Sequence, residues 1–281
     1  MELITGPSGV LAHVRGARRT GERVALVPTM GALHAGHAAL MMAAREQSEQ
    51  VVLSIFVNPL QFNRAEDLEH YPRDLDGDLD FARKFGVDVA FVPDVQAMYP
   101  SGTPIVQVDP GQLADRFEGA ARPGHFRGVA TVVTKLLSIV EPDAAYFGEK
   151  DYQQLVIVRR LAADLSIPVE IIGIPTIREP DGLALSSRNR RLSATQRTAA
   201  AVLHRALMEG RESIRGGADP VAAAAVVAGR VASEPLARLD YAEVTDVDLA
   251  RPVEGTEGPL RILVAAEFGT VRLIDNVAAR V

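Results

Sequence analysis

The chain has 281 residues, 47% of them hydrophobic, and a formal net charge of -6, which describes a globular protein with one large core or two domains. The acidic balance excludes a general affinity for nucleic acid or anionic membranes, so a polyphosphate would have to be held by a local cluster of Lys, Arg and His. The absence of cysteine excludes disulfides, zinc thiolates and thiol nucleophiles, and fits a reducing compartment.

The opening MELITGPSGV has no basic segment ahead of a long apolar run, and no run reaches the length of a membrane span; a cytoplasmic enzyme is expected. The first clear element is the apolar run 24–27, short enough for one buried strand, and an Ala/Leu/Met-rich run at 38–45 reads as helix. Between them lies PTMGALHAGH at 28–37, a strand-to-helix turn. In an open parallel sheet such a turn sits at the carboxyl ends of the strands, where ligands bind, and the helix that opens there offers N–H groups to an anion. Gly31 and Gly36 let backbone approach a ligand, and His34 and His37 are spaced to share a helix face. Two imidazoles beside a helix start, with no third ligand near them, suit a nucleoside triphosphate better than a metal.

Further strand-like runs follow at 51–57, 88–92, 105–108, 143–147 and 169–174, with helical spacing at 78–85 and 129–140. This alternation predicts βαβ units around a parallel sheet. Residues 179–189 are irregular and polar and read as a domain boundary followed by a mobile connection. Beyond it the sequence is Ala-rich and helical from 195 to about 232, broken at Gly216, Gly217 and Pro220. Strand-like runs at 241–244, 261–265 and 271–274 come next, the last two joined by a hairpin turn at Phe268, Gly269 and Thr270. Helices followed by a small antiparallel sheet make a second, α+β domain.

Three other segments carry candidate chemistry. SIFVNPLQF at 54–62 ends a strand with the turn residues Asn58 and Pro59 and sets Gln61 at its mouth, an amide able to meet a hydroxyl and a carboxylate. Gly148, Glu149, Lys150 and Asp151 follow a strand, and Lys150 can reach phosphate oxygens as a flexible point charge; of Gln153 and Gln154, one should face the site. Leu185, Ser186, Ser187 and Arg188 put two hydroxyls and a guanidinium in succession, either a polyphosphate grip or a helix cap. DLDGDLD at 74–80 invites a calcium reading that fails, because Leu79 and Phe85 stand where the loop needs glycine and a carboxylate; a solvated helix start fits better. No P-loop, dinucleotide fingerprint or nucleophile-elbow pattern occurs.

PTMGALHAGH, SIFVNPLQF, the stretch EDLEHYPRD from Glu66, HFRGVATVVTKL from His125, FGEKDYQQ and DGLALSSRN occur in order and, with the closing DN of LIDN, span nearly the whole chain. Together they closely resemble the pantoate:beta-alanine ligases, members of the nucleotidyl-transfer class that share an H-x-G-H turn. The resemblance implies a Rossmann-like ATP- and pantoate-binding domain over 1–176 and a smaller α+β lid domain over 177–281. It also implies an AMP-forming condensation of pantoate with beta-alanine through a pantoyl adenylate, with ATP as co-substrate, magnesium (Mg2+), and a homodimer. By the same resemblance, His34 and His37 contact the phosphates, His37 as proton donor or transition-state stabiliser, while Met30, Gly31, Gly36 and the backbone between wrap the nucleotide. Gly148 to Asp151 hold ribose and phosphate, with Lys150 on phosphate. Ile177 meets adenine, Leu185 to Arg188 grip the triphosphate, and Asn58, Gln61 and Gln154 serve the substrates. Leu185 stands where the family commonly has methionine, and of an acidic pair expected to serve the metal only Asp78 transfers. Two alternatives stand beside this reading: an H-x-G-H nucleotidyltransferase for a phosphorylated small molecule, and a non-catalytic nucleotide-binding relative.

Overall fold

The computed structural model describes residues 1–63, 65–252 and 258–280. The chain divides into two compact units, Met1–Glu149 with Gln153–Pro175, and Lys150–Tyr152 with Thr176–Val281.

The first unit is built on six parallel strands: β1 (Glu2–Ile4), β2 (Val24–Thr29), β3 (Gln50–Ile55), β4 (Val89–Phe91), β5 (Ala144–Gly148) and β6 (Glu170–Ile174). Their order is β1-β4-β3-β2-β5-β6. From β2 the chain winds outward on one side through β3 and β4, and β5 then pairs with the other side of β2, with Leu26 opposite Ala145. The switch point of the sheet therefore lies between β2 and β5, and a crevice for a ligand is expected at their carboxyl ends. The β2 residues Val24 to Val27 are completely buried, as expected for a strand covered on both faces.

Two of the strand readings differ from the structure, and the helix Pro7–Arg19 ahead of β2 is absent from the pattern read in the sequence. The apolar segment Ile105 to Val108 is not a strand: Ile105 and Val106 are exposed, and the Val108 N–H donates to Thr131 Oγ1 at 3.0 Å instead of to a neighbouring strand. Its β-branched residues fit a strand, but they sit between Pro104 and Pro110 and, among the described residues, no strand pairs with them. Conversely, Glu2–Ile4 is a strand, too short to show a period, and pairs with β4.

In the second unit the helices Ala194–Ala200, Val202–Arg215 and Pro220–Ala232 precede an antiparallel sheet of β7 (Arg238–Asp246), β8 (Pro259–Phe268) and β9 (Val271–Arg280), in that order. Pro220 opens the third helix with Asp219 accepting the Val221 and Ala222 N–H groups, the arrangement its sequence favours. Leu203, Leu207, Val227, Ile262 and Phe268 are fully buried in the core of this unit.

Candidate active site

The turn after β2 is shaped by contacts that its own sequence does not contain. Gly31 and Ala32 take left-handed φ angles of 82° and 52°, which turns their peptide groups toward the carboxylate of Asp78. Asp78 Oδ2 accepts the Ala32 N–H at 2.9 Å and Oδ1 accepts the Leu33 N–H at 2.7 Å. A Cβ at Gly31 would lie 2.7 Å from Asp78 Oδ2, so glycine is required both by φ and by this approach. On the other side Thr29 Oγ1 donates to Ser54 O at 2.7 Å and accepts the Gly31 N–H at 3.3 Å.

The helix Ala35–Gln47 begins under a reciprocal cap made of histidines. His34 Nδ1 accepts the Gly36 N–H at 3.1 Å, and His37 Nδ1 accepts the His34 N–H at 3.2 Å. The two rings lie 4.1 Å apart. Gly36 belongs to this device, since a Cβ there would come within 2.8 Å of the His34 ring. Because each Nδ1 accepts a hydrogen bond, the proton of each neutral imidazole is on Nε2. The cap thus fixes the orientation of both rings and makes Nε2 the donor on each.

Gln61 ends the short turn Pro59–Gln61 that follows β3, and Asn58 caps that turn. Asn58 is 1% exposed. Its Oδ1 accepts the Leu60 N–H at 3.3 Å and the Tyr99 hydroxyl at 2.8 Å, and its Nδ2 donates to Gln61 Oε1 at 3.0 Å and Gly128 O at 3.2 Å. Both amide protons and both acceptor directions are thereby spent inside the protein. These bonds tie the Asn58 side chain to the Gln61 side chain, to Gly128 and to Tyr99. Burial pushes the Tyr99 phenol well above its ordinary pKa, which keeps it a neutral donor to Asn58. Gln61 Nε2 donates to Met30 Sδ at 3.0 Å, so this turn meets the turn after β2.

Support for Gln61 also comes from the start of the helix His125–Val140, whose span from 129 onward the sequence spacing predicts. His125 Nδ1 lies 2.8 Å from Gln61 O, and Arg122 donates to the same oxygen at 3.2 Å. Gly128 is the point of closest approach: a Cβ there would lie 2.3 Å from Leu60 O and 2.8 Å from Gln61 N. Of the two glutamines that open the next helix, Gln153 has its amide committed, accepting from Glu118 N at 3.0 Å and donating to Leu113 O at 2.7 Å and Arg116 O at 2.9 Å. Gln154 is half-buried beside it and identical in chemistry; only packing separates the two.

Gly148 and Glu149 stay with the first unit, at the end of β5, whereas Lys150 and Asp151 group with the second. Lys150 Nζ lies 3.3 Å from Asp151 Oδ1. In the second unit, residues 177–185 form a small hairpin in which Leu185 N–H donates to Ile177 O at 2.9 Å and Arg178 bridges to Ala184. Arg197 donates to Asp181 Oδ2 at 2.6 Å and Glu179 Oε2 at 2.6 Å, and holds the Asp181 carboxyl below its ordinary pKa. Asn189 Nδ2 ties Glu179 Oε1 to Ala184 O. The segment 179–189, irregular in the sequence, thus carries a small hairpin tied by side chains up to 18 residues away. Ser186 Oγ accepts the Arg188 N–H at 3.2 Å and caps the turn Ser187–Arg191.

The structure thus brings Met30, His34, His37, Asn58, Gln61 and Asp78 into one connected framework within the first unit, and ties Ile177 and Leu185 to Arg188 through one hairpin in the second. The model of the family described as pantoate-beta-alanine ligase matches residues 2–278. A pantothenate synthetase of Salinispora arenicola is 55% identical over 258 residues, 92% of this chain and 91% of that one. The crystal structure of pantothenate synthetase from Thermus thermophilus has a TM-score of 0.91 at 46% identity, covering 99% of each chain. That of pantoate-beta-alanine ligase from Francisella tularensis, complexed with beta-gamma ATP and beta-alanine, has a TM-score of 0.80 at 35% identity, covering 99% of this chain and 97% of the other. The chain belongs to the pantoate-beta-alanine ligase family.

Proposed function

We propose that the reaction of this ligase, the ATP-dependent joining of pantoate to beta-alanine, runs through a pantoyl adenylate formed over the turn at 28–37. The observation that carries the reading is the histidine cap at the sheet's switch point, with both Nδ1 atoms turned to the backbone. A carboxylate is a poor acyl donor to an amine because its leaving group is oxide. Attack of a pantoate carboxylate oxygen on the α-phosphorus of ATP forms the mixed anhydride and releases diphosphate. The beta-alanine nitrogen then attacks the acyl carbon, loses a proton, and AMP leaves. No covalent bond to the protein is needed, so the chain's task is position and charge.

In this reading Nε2–H of His34 and His37 donate to phosphate oxygens as charge builds toward the departing diphosphate. Lys150 and Arg188 add positive charge, Arg188 by its bidentate fork. Gly31, Gly36, Gly148, Glu149, Asp151, Ile177, Leu185, Ser186 and Ser187 line the nucleotide, and Gln61 and Gln154 orient pantoate.

The residues present do not fit a protein-ligated magnesium ion: among the described residues no group of three His, Asp or Glu is arranged to hold a metal, and both Asp78 oxygens hold the turn. Magnesium then travels on the phosphates of ATP, and Asp78 is a brace. We also assign the protein to the cytoplasm and to a homodimer; the lack of cysteine supports the first. Among the described residues no helix is long and apolar enough to cross a membrane. Light scattering tests the homodimer.

The test of the mechanism is pantoate-dependent exchange of labelled diphosphate into ATP with beta-alanine omitted. Exchange that requires pantoate supports the adenylate. ATP binding without exchange in a folded sample would overturn it in favour of a non-catalytic relative, and exchange only with a phosphorylated acceptor in favour of a nucleotidyltransferase.

A further inference from the structure

The dipeptide Asp275 and Asn276 lies in β9 of the second unit, paired with Val264 and Leu263 of β8, and is 2% and 3% exposed. Buried polar side chains in a strand are costly unless each bond is made, and here the bonds lead to the segments assigned above to phosphate. Asp275 accepts Arg178 at 2.6 Å and 2.9 Å in a bidentate pair and accepts the Asn276 N–H at 2.7 Å. Arg178 donates in turn to Gly182 O at 2.9 Å and to Asn276 O at 3.2 Å, so the backbone of residue 276 is held from both sides. From that fixed point Asn276 Nδ2 donates to the carbonyl oxygen of Lys150 at 2.9 Å, across 126 residues of sequence.

Lys150 itself stands in the one-turn helix Glu149–Asp151, too short to hold its own geometry. A second anchor follows at once: the Tyr152 ring lies under the Arg261 guanidinium at 3.8 Å, and its hydroxyl donates to Val247 O at 2.9 Å. Lysine is a charge on a long flexible stem, so its reach is decided by where its backbone is pinned.

The geometry points to Asn276 as a positioning residue for Lys150: its amide fixes the Lys150 carbonyl, and the Arg178–Asp275 pair fixes Asn276 and the hairpin of the triphosphate grip at the same corner. The inference rests on the assignment of Lys150 to phosphate. It predicts a defect confined to adenylation, because the phosphates that Lys150 serves are expelled before the amide forms.

The experiment compares the full-length chain with Lys150→Ala, Asn276→Ala and the double variant in pantoate-dependent diphosphate exchange. Asn276→Ala is expected to slow the exchange turnover by about tenfold to a hundredfold, the range for a displacement near 1 Å, and the double variant to be no slower than Lys150→Ala alone. Amide formation from supplied pantoyl adenylate and beta-alanine should keep its wild-type rate in Asn276→Ala. Additive losses, equal losses in the two half-reactions, or wild-type exchange in Asn276→Ala would each overturn the proposal. Wild-type exchange in Lys150→Ala would remove the role of Lys150 itself, a failure distinguishable from that of Asn276. The isosteric Asn276→Asp, which faces the carbonyl with a carboxylate oxygen, repeats the test if the alanine variant does not fold. Unfolding of both by circular dichroism would mark Asn276 as a folding residue and overturn the positioning role.

Discussion

Replacing Gly128 with alanine should damage pantoate use from a site whose side chain is a single hydrogen. The added Cβ would lie 2.3 Å from Leu60 O, 2.5 Å from Leu60 C and 2.8 Å from Gln61 N, against an ordinary carbon contact of about 3.5–4.0 Å. All three atoms are backbone, so relief requires the helix His125–Val140 to withdraw by on the order of 1 Å. Withdrawal pulls Gly128 O away from Asn58 Nδ2, now 3.2 Å away, and His125 away from Gln61 O. Overpacking costs about 1–3 kcal/mol, a buried donor deprived of its acceptor costs about 1–3 kcal/mol, and the better helix propensity of alanine returns about 1 kcal/mol.

The net expectation is a loss of about 1–5 kcal/mol, read as a lower urea midpoint, together with a raised pantoate KM at saturating ATP. Gly229→Ala is the matched control: it lies in the helix Pro220–Ala232 with nothing within 4 Å of the new Cβ, and alanine there should be neutral or stabilising by up to about 1 kcal/mol. A Gly128→Ala protein within about 0.5 kcal/mol of wild type, with unchanged pantoate kinetics, would refute the claim that this glycine sets the position of Gln61.

Asp78→Asn keeps the shape but puts an amide N–H against the N–H of Ala32 or Leu33, and should cost about 1.5–3 kcal/mol and slow adenylation; an unchanged melting temperature would show that the carboxylate does not brace the turn. His37→Gln keeps an acceptor for the His34 N–H, as glutamine does at this position of a capping box, while removing the imidazole. Diphosphate exchange should fall by about a hundredfold or more with an unchanged circular dichroism spectrum, and full exchange would remove His37 from the chemistry. His204 has its pKa lowered first by burial and then by Arg178 and Arg211, with Asp275 and Asp181 opposing. The unfolded chain therefore takes up its proton first as pH falls through about 6.5, and stability is lost in that direction. The urea midpoint of His204→Gln should fall less than that of wild type between about pH 7.5 and about pH 5.5; parallel curves would count against this.

What the sequence made legible is what is local. The buried run 24–27, the two-histidine turn and the helix break at Pro220 announce themselves because strand burial, turn geometry and helix interruption are decided within a few residues. What it concealed is how each polar group spends its hydrogen bonds. Asn58 and Gln61 look equally available in SIFVNPLQF, and only Tyr99, 41 residues on, and Gly128, 70 residues on, show that one amide is consumed in holding the other. Gln153 and Gln154 are adjacent and chemically identical, yet one is spent on the loop at 113–118. Asp78, a metal candidate by likeness, is bound by backbone 46 and 45 residues earlier. In each case the residue named by the motif is of the right type, and the fold decides whether its polar atoms hold the scaffold or face the substrate. The same logic makes the supporting residues predictable in kind. A motif glutamine or lysine on a short turn needs to be pinned from elsewhere by a buried, neutral donor: Asn58, at the cap of the turn after β3, holds the Gln61 side-chain oxygen, and Asn276, in β9, holds the Lys150 carbonyl.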